Sequence, residues 1–260
     1  MLKSRPVWKV FIAVLLLMGT VFVVRRMNHP RLSVPRTESV RFLVVHSFAL
    51  PVPDMIRVMK NLGVSTHYLI DTDGNITSFI PEDQVAFHAG SSSWRGQSGL
   101  NASSVGIELQ SPTLGQTPFP KPQIRAFQIL ARSIIDRYNL PKTHIVAHSD
   151  IAPMRKVDVG SAFPWRELAA AGIGFWPTDI QSAPNHTDSL QLLREIGYDT
   201  TDPDKALLAF ERRFMPHLVP ADNDIAHLEE NLKSARPIPI TDPAVQDMIF
   251  SVWRIADPWL

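Results

Sequence analysis

Histidine and carboxylate side chains are the metal ligands that this sequence offers, because its 260 residues include nine histidines and no cysteine. His46 ends an apolar, β-branched run (RFLVVH), and His148 ends another (HIVAH). The loop after His148 contains proline and glycine and is long enough to return Asp158 to the same point. Two histidines and one carboxylate leave Zn²⁺ an open fourth position for water. These three residues are therefore candidates for a hydrolytic zinc site.

Each candidate has an ordinary alternative. A single histidine at the end of a strand is more often hydrogen-bonded or exposed than a ligand. His144 and His148 also form the pattern H-x-x-x-H, which in a helix places both rings on one face. Here the segment is β-branched and follows Pro141, and four residues of strand cover about 13 Å, too far for two ligands of one metal. We therefore retain His148 and exclude His144.

A carboxylate inside an apolar strand is the candidate general base. Glu108 lies in VGIELQ between Ile107 and Leu109, where desolvation raises the pKa of a carboxyl toward the range of a base. The alternative is that Glu108 pairs with an arginine or lies on a solvated face. Lys156 precedes Asp158 by two residues and is placed to stabilise an oxyanion. Its alternative is an ordinary surface lysine.

Strands and helices alternate around these residues. Apolar runs predict strands over 41–46, 66–71, 76–80, 105–110 and 144–148. A turn at 72–75 joins the second and third of them into a hairpin. Apolar residues at helical spacing predict helices over 53–61, 122–138 and 165–171. The pattern indicates an α/β domain over 40–177, with a mixed central β-sheet flanked by helices.

The C-terminal third has a different character. After a linker, short amphipathic segments predict helices over 190–198, 205–215 and 226–234. They indicate a small three-helix bundle over 184–236. The extension at 237–260 carries apolar and aromatic residues at helical spacing. This extension is suited to packing either on the rest of the fold or on a partner protein.

Residues 1–26 contain an uncharged apolar stretch and predict a transmembrane anchor or a signal segment. From Val10 to Val24 the stretch spans only about 22 Å of a roughly 30 Å hydrocarbon core, but a helix that begins at Val7 reaches about 27 Å. The bulky residues before Arg25 offer no cleavage site, which favours an uncleaved anchor over 7–24. Residues 27–39 then form a linker. Either alternative exports the rest of the chain.

The distribution of charge favours a membrane over nucleic acid as the partner of the basic residues. The net charge is only +1. Lysines and arginines near the N-terminus bracket the apolar stretch, whereas a nucleic-acid binder spreads them over a folded face. The sequence predicts membrane contact through the N-terminal segment and no nucleic-acid partner.

Several motifs, in order, resemble those of a known enzyme family. They are FLVVHSFA, VSTHYLIDTDGNI, VAFHAGSSSWRG, LNASSVGIELQS, VAHSDIAPMRKVDVG and FPWRELAAAGIGFWP, and together they cover about 40–177. They resemble the zinc-dependent N-acetylmuramoyl-L-alanine amidases of the AmpD and AmiD type, which are related to the peptidoglycan-recognition proteins. Two positions depart from the family pattern: Phe87, where tryptophan is frequent, and Val159, where proline is common.

The resemblance implies a role for each candidate residue. It implies one zinc ion held by His46, His148 and Asp158, with Glu108 as the catalytic general base and acid and Lys156 beside the oxyanion. More weakly, it implies substrate-lining or supporting roles for a further group: His67, His88, Trp94, Arg95 and Asn101. The last three are expected to line the glycan groove.

The implied function is hydrolysis of the amide bond between the lactyl group of N-acetylmuramic acid, anhydro or not, and the L-alanine of the stem peptide. The expected place is the periplasmic side of a bacterial envelope, with the chain anchored through 7–24. The C-terminal bundle loosely resembles a peptidoglycan-binding module, or else it simply extends the catalytic domain. The alternative function is a non-catalytic peptidoglycan-recognition protein. Such proteins commonly lose a zinc ligand, whereas this chain keeps all three. A third function, that of an anchored scaffold whose C-terminal helices recruit a partner, is compatible with catalysis.

Overall fold

The structure is a computed structural model that describes residues 32–219 and 234–256, together with the isolated positions 227, 230 and 231. The predicted anchor or signal segment at 1–26 lies outside the described residues. Within the part of the chain that is described, no helix has the length and apolar character needed to cross a bilayer. Membrane anchoring therefore stays a prediction.

The strands are short except for two at the centre of the sheet. They are β1 Ser33–Pro35, β2 Phe42–Phe48, β3 Tyr68–Ile70, β4 Ile76–Ser78, β5 Gln84–Ala86, β6 Ser93–Trp94, β7 Gln97–Ser98, β8 Ser104–Gln110 and β9 Ile145–Ala147. The central sheet has the order β4-β3-β8-β2-β9. Only β4 is antiparallel to its neighbour, so the predicted mixed sheet is confirmed. Both β2 and β8 lie inside the sheet and are buried along almost their whole length.

The described helices include the three that the sequence predicts in the catalytic domain. They are α1 Val52–Leu62, α2 Lys121–Tyr138, α3 His148–Ile151, α4 Trp165–Ala170, α5 Ser189–Ile196, α6 Pro203–Phe214 and α7 Pro243–Ala256. Helix α2 begins with a proline in its first turn and ends at Asn139, which adopts the left-handed conformation and donates its backbone N–H to the Ile135 carbonyl. These are standard start and stop signals.

One face of the sheet is covered by α2. Residues at alternate positions of the strands, such as Val45 and Ile107, lie in one buried cluster with Phe127 and Ile134 of α2. This is the packing that the apolar stripe of α2 predicts. The cluster leaves the opposite face of the same strands for other elements.

The C-terminal helices cover that opposite face. Phe42, Val44 and Val146 of the sheet share a single buried cluster with residues of α5, α6 and α7, and α7 packs against α5. The helices thus extend the core of the catalytic sheet, which is the second of the two alternatives drawn from the sequence. The predicted helix at 226–234 falls mostly outside the described residues, and the extension docks on the fold through α7.

Two small sheets complete the fold. Strand β1 pairs antiparallel with β5, and β6 pairs with β7. Arg36, directly after β1, donates hydrogen bonds from its guanidinium to four backbone carbonyls, those of Glu82, Gln84, Ala102 and Ser104. The arginine thereby fixes the start of the domain against the loops that precede β5 and β8.

Candidate active site

Three ligand atoms converge at the carboxyl end of the sheet. His46 Nδ1 lies 2.9 Å from His148 Nδ1 and 3.4 Å from Asp158 Oδ2, and the latter two atoms are 3.1 Å apart. All three side chains are buried. In the described part of the chain, this trio is the group of histidine and carboxylate side chains whose ligand atoms are close enough to share an ion.

The register of the parallel strands brings these residues together. His46 on β2 pairs with Glu108 on β8. On the other side of β2, Val45 pairs with Ala147, the last residue of β9. His148 follows as the first residue of α3, whereas the sequence predicted that it ends the strand. Directly paired residues of neighbouring strands share a face of the sheet. Asp158 returns to this edge of the sheet because its carbonyl accepts a 2.6 Å hydrogen bond from the Ser149 N–H.

The spacing of the three ligand atoms fits a zinc ion. A tetrahedral site with bonds of about 2.0–2.1 Å has ligand atoms roughly 3.3 Å apart. The three observed separations lie between 2.9 and 3.4 Å. Two imidazole nitrogens and one carboxylate oxygen are also a donor set that zinc prefers. His144 is elsewhere: its Nδ1 contacts the Arg41 carbonyl and its ring stacks on Phe42, in agreement with its exclusion.

Electrostatics keep the ligands in the forms that bind metal. Burial, together with the neighbouring His148 ring, lowers the pKa of His46 to about 4, so this imidazole is neutral at physiological pH. Burial opposes ionisation of Asp158, but His148 and His46 outweigh it and hold the pKa of the Asp158 carboxyl well below its ordinary range. A neutral ring and an ionised carboxylate are the ligating species.

Glu108 stands beside the ligand atoms as a buried carboxyl. Burial, with a smaller contribution from the charge of Asp158, raises the pKa of Glu108 to about 8. Its Oε2 atom is buried and forms no hydrogen bond to the described protein groups. The positive charge of Lys156 acts on both Glu108 and His46, lowering the pKa of each. A group that takes up and releases a proton near neutrality is therefore placed next to the candidate metal ligands, with an ammonium group close by.

Comparison with known proteins agrees with this geometry. Residues 36–161 match the family model Amidase_2, described as N-acetylmuramoyl-L-alanine amidase. AmiD of Escherichia coli K12 is 36% identical over 218 residues, which cover 71% of this chain and 78% of AmiD. The 1,6-anhydro-N-acetylmuramyl-L-alanine amidase AmpD of the same strain is 34% identical over 173 residues, covering 58% of this chain and 93% of AmpD. The chain belongs to the N-acetylmuramoyl-L-alanine amidase family.

Solved structures of similar proteins cover most of the amidase. E. coli AmiD in complex with anhydro-N-acetylmuramic acid-L-Ala-D-gamma-Glu-L-Lys has a TM-score of 0.65 and 28% identity, and the alignment covers 93% of this chain and 97% of AmiD. AmpDh3 of Pseudomonas aeruginosa in complex with an anhydromuramic pentapeptide has a TM-score of 0.67, 28% identity and coverage of 90% and 97%. The amidase is thus a hydrolase, as the sequence predicts.

The two further histidines of the family motifs, His67 and His88, are buried in the amidase. His67 is fully buried, and its ring accepts a hydrogen bond from the Gly106 N–H at Nδ1 and contacts the Gln84 carbonyl through Nε2. His88 contacts His46 Nε2 through its Nδ1 atom at 3.0 Å. Of the two roles predicted for these histidines, lining the substrate or supporting the site, the contacts favour support, because both rings are enclosed by protein groups and His88 contacts a candidate metal ligand.

Two of the predicted glycan-groove residues, Trp94 and Arg95, contact other parts of the amidase. Trp94 is fully buried: its indole N–H donates to the Thr143 carbonyl and its ring meets Tyr198 edge-on. A ring without exposed surface cannot line a groove, so this prediction is wrong. Arg95 donates to the carbonyls of Ile196 and Ala256, and so ties its hairpin to the C-terminal helices.

Asn101 has a supporting role as well. Its side-chain oxygen accepts hydrogen bonds from the backbone N–H groups of His88 and Ala89, at 3.0 and 2.7 Å. The amide side chain thereby fixes the backbone that carries the His88 ring, and its glycan contact stays a prediction.

Sequence analysis missed a buried network behind the ligand His148. Asp150, in the same short helix, accepts hydrogen bonds from the Ala147 N–H, from the Tyr198 hydroxyl and from the Arg213 guanidinium. Asp150 and Arg213 are almost completely buried. No local pattern marks this pair, because Arg213 has the appearance of a polar-face residue on an amphipathic helix.

Proposed function

We propose that this amidase uses one zinc ion to hydrolyse the amide bond between the lactyl group of N-acetylmuramic acid and the L-alanine of a stem peptide. The observation that carries the proposal is the convergence of His46 on β2, Glu108 beside it on β8 and His148 directly after β9, completed by Asp158. This arrangement combines an open metal site with a buried carboxyl of raised pKa.

His46, His148 and Asp158 are the residues that would hold the zinc ion. A zinc ion bound there supplies Lewis-acid chemistry: it polarises a carbonyl group and lowers the pKa of water toward neutrality. The chain supplies the remaining groups. Its three ligands come from a rigid sheet and the loop that closes on it, which keeps their separations short.

Glu108 moves the protons of the reaction. In its ionised form, the carboxylate takes one proton from the attacking water as the oxygen bonds to the lactyl carbonyl carbon. The same carboxyl then gives that proton to the leaving nitrogen as the carbon–nitrogen bond breaks. Lys156 stabilises the negative charge that develops on the carbonyl oxygen. The products are a lactyl carboxylate on the sugar and a stem peptide with a free amino group.

The substrate class that we propose is a muropeptide with an anhydro sugar. The AmiD and AmpDh3 structures both hold anhydromuramyl peptides, and these relatives resemble this chain over nine-tenths of its length. The proposal is tested by supplying anhydromuropeptides and reducing-end muropeptides in parallel and following both by mass spectrometry. Faster cleavage of the anhydro form is expected.

We also propose that the enzyme acts on the periplasmic side of the envelope and is anchored through residues 7–24. The support is the apolar, basic-flanked N-terminal sequence. The test is isolation of the mature protein from membranes, followed by N-terminal sequencing. A start near Met1 is expected, whereas a start beyond Arg26 would identify a removed signal.

The decisive experiment combines zinc content and muropeptide cleavage in one preparation. Wild-type protein is expected to hold one zinc ion and to release stem peptide. Glu108→Gln is expected to keep its zinc but to lose on the order of 10²- to 10⁴-fold in rate, because an amide cannot accept the proton. Glu211→Gln is the matched control. Glu211 is also a buried carboxyl whose burial raises the pKa to about 7, yet it lies on α6 and accepts the Ile238 N–H.

The same experiment separates the amidase from a non-catalytic peptidoglycan-recognition protein. A recognition protein would bind the muropeptides without releasing stem peptide, in the wild type as in the variants. The complete ligand set and the raised pKa of Glu108 favour the enzyme. Loss of zinc from Glu108→Gln would instead make this residue a ligand or a structural support.

A further inference from the structure

A chain of buried hydrogen bonds leads from a backbone carbonyl to the candidate ligand His46. Ser104 Oγ donates to the Leu100 carbonyl at 2.6 Å. His88 Nε2 lies 3.1 Å from Ser104 Oγ, and His88 Nδ1 lies 3.0 Å from His46 Nε2. All four residues are buried. We refer to Leu100, Ser104, His88 and His46 as the relay.

The direction of each hydrogen bond in the relay follows from the chemistry of its first member. A carbonyl oxygen only accepts, so the single hydroxyl hydrogen of Ser104 is committed to Leu100. The hydroxyl oxygen of Ser104 must then accept from His88 Nε2–H. A neutral imidazole carries one ring hydrogen, so His88 Nδ1 has none and accepts in turn from His46 Nε2–H. The remaining nitrogen, His46 Nδ1, is left with a free lone pair.

That lone pair faces the other candidate ligands. His46 Nδ1 is the atom that lies 2.9 Å from His148 Nδ1 and 3.4 Å from Asp158 Oδ2. Both relay rings are buried, and a histidine that ligates a metal does so as a neutral ring. Metal ligation by histidine requires a bare nitrogen, and the hydrogen bond on the other nitrogen decides which one is bare.

The fold holds the His88 ring tightly in the relay. The ring lies against β8 at Gly106, where an added Cβ would come within 2.6 Å of His88 Cγ. A glycine inside a strand is typical of such a close approach. On the other side, the Asn101 side chain accepts from the His88 and Ala89 N–H groups. The ring therefore has little freedom to rotate away from His46.

We propose that Ser104 and His88 are positioning residues that set the tautomer of His46 and so direct its Nδ1 lone pair at the metal. Their proposed effect on the metal is exerted through His46. The inference rests on the proposed zinc site. It adds that zinc affinity depends on a serine hydroxyl and a backbone carbonyl two and three hydrogen bonds away from the ligand.

The first test measures zinc affinity by competition with a chromophoric chelator, on the full chain loaded with zinc. His88→Leu removes the acceptor for His46 Nε2–H, so we expect zinc affinity to fall 10- to 100-fold, the usual effect of losing an outer-shell partner. His88→Asn restores an acceptor oxygen near the position of Nδ1 and is expected to recover most of the affinity. Ser104→Ala removes the acceptor for His88 Nε2–H, so that either tautomer of His88 can form, and zinc affinity is expected to fall about 10-fold.

Ser103→Ala is the matched control, since Ser103 is a buried serine next in sequence whose hydroxyl lies outside the relay. Its zinc affinity should equal that of the wild type. Equal affinity in wild type, Ser104→Ala and His88→Leu would overturn the proposal while leaving the zinc site intact. Absence of zinc binding in the wild type would instead overturn the proposed function.

The second test needs no variant and so survives any failure of the variants to fold. ¹⁵N NMR of zinc-loaded protein with labelled histidine reports which ring nitrogen carries hydrogen. We expect hydrogen on Nε2 of both His88 and His46. Hydrogen on Nδ1 of His88 would overturn the proposal, because that ring would then donate to His46 instead of accepting from it.

Discussion

The two histidine ligands are supported by different regions of the molecule. His46 is held through its side chain, by the relay, whose members all lie within the residues 36–161 that match the family model. His148 Nε2 is buried and forms no hydrogen bond to the described protein groups. His148 is held instead through its backbone, because it begins α3, and α3 is fixed by Asp150.

The support of His148 comes from the C-terminal helices. Asp150 is bonded by the hydroxyl of Tyr198 and by the guanidinium of Arg213. Arg213 also donates to the Ile145 carbonyl and lies over the Trp165 ring, 4.1 Å from its centroid. We refer to Asp150, Tyr198 and Arg213 as the lock. Tyr198 and Arg213 lie beyond the residues that match the family model.

The difference teaches that the C-terminal helices are part of the machinery that positions the metal site. AmpD of E. coli is matched over 93% of its own length by only 58% of this chain, so most of the remaining chain has no counterpart in it. Here Arg213, beyond the residues that match the family model, contributes the cation of a buried ion pair with Asp150, two residues from the ligand His148. Removal of the helices is therefore expected to disturb catalysis as well as any binding of peptidoglycan.

The largest loss of zinc binding and activity is expected from substitution of the ligands themselves, because each of the two regions positions one of the histidine ligands. His46→Ala and His148→Ala should each abolish stoichiometric zinc binding and muropeptide cleavage, and Asp158→Ala should weaken zinc binding, since three ligands are the minimum for this open site. Metal analysis after dialysis is the measurement. His144→Ala is the matched control and should keep its zinc. Zinc retained by a His46 and His148 double variant would refute the site.

The next effect separates the two regions. Arg213→Met leaves Asp150 as a buried carboxylate without its cation, and removal of one partner of a buried pair costs about 3–5 kcal/mol. We expect a lower free energy of unfolding in urea and weaker zinc binding through His148. Arg194→Met, an exposed arginine on α5, serves as the control and should change neither quantity. Unchanged zinc affinity in a folded Arg213→Met protein would show that the lock stabilises the fold but does not position the metal site.

A pH dependence of stability is expected on the sheet side, in zinc-free protein. The carboxyl of Glu108 has a folded-state pKa of about 8, above the ordinary value of 4.5. The folded state therefore holds a proton that the unfolded state has released, and the stability from this proton is lost as the pH rises through 8. Between pH 6.5 and 9 the loss amounts to about 2 kcal/mol. Urea unfolding at both values measures it.

Glu108→Gln should lose this component of about 2 kcal/mol, and Arg213→Met should retain it. Burial raises the pKa of Glu211 to about 7, so Glu211 titrates in the same window, but it contributes equally to wild type and Glu108→Gln. Burial lowers the pKa of His46 and of His67 to about 4. In the unfolded state these histidines still take up protons near pH 6.5, and this contribution cancels when wild type is compared with Glu108→Gln. An equal loss in wild type and Glu108→Gln would place the titrating group elsewhere.

The smallest effect is expected from the hydroxyl of the lock. Tyr198→Phe removes one hydrogen bond to a buried carboxylate, worth about 1–3 kcal/mol at a charged acceptor, of which the Arg213 ion pair compensates part. We expect a loss of about 1 kcal/mol and a small decrease in zinc affinity. Tyr68→Phe removes a similar hydroxyl from Glu82, remote from the ligands, and should lower stability alone. Identical zinc affinities of the two variants would argue against the lock.

The sequence by itself determined the elements and the chemistry of the centre. The β-branched runs at His46 and before His148 form β2 and β9, because local apolar pattern specifies a buried strand. Their ends differ from the prediction: β2 continues two residues beyond His46, and β9 ends one residue before His148. The strand that carries Glu108 is likewise confirmed as β8. Once these strands are parallel neighbours, their carboxyl ends meet at one edge, so the candidate ligands were identifiable before the fold was known.

Only the tertiary structure decided what surrounds the centre. Trp94 and His67 look like surface-motif residues in the sequence but are buried, and Arg213 looks like a polar-face residue but pairs with Asp150. These outcomes depend on contacts between residues 48–68 positions apart or on hydrogen bonds across strands. Local periodicity reports which face of an element is apolar. It carries no information about which distant group meets a polar side chain once that face is packed.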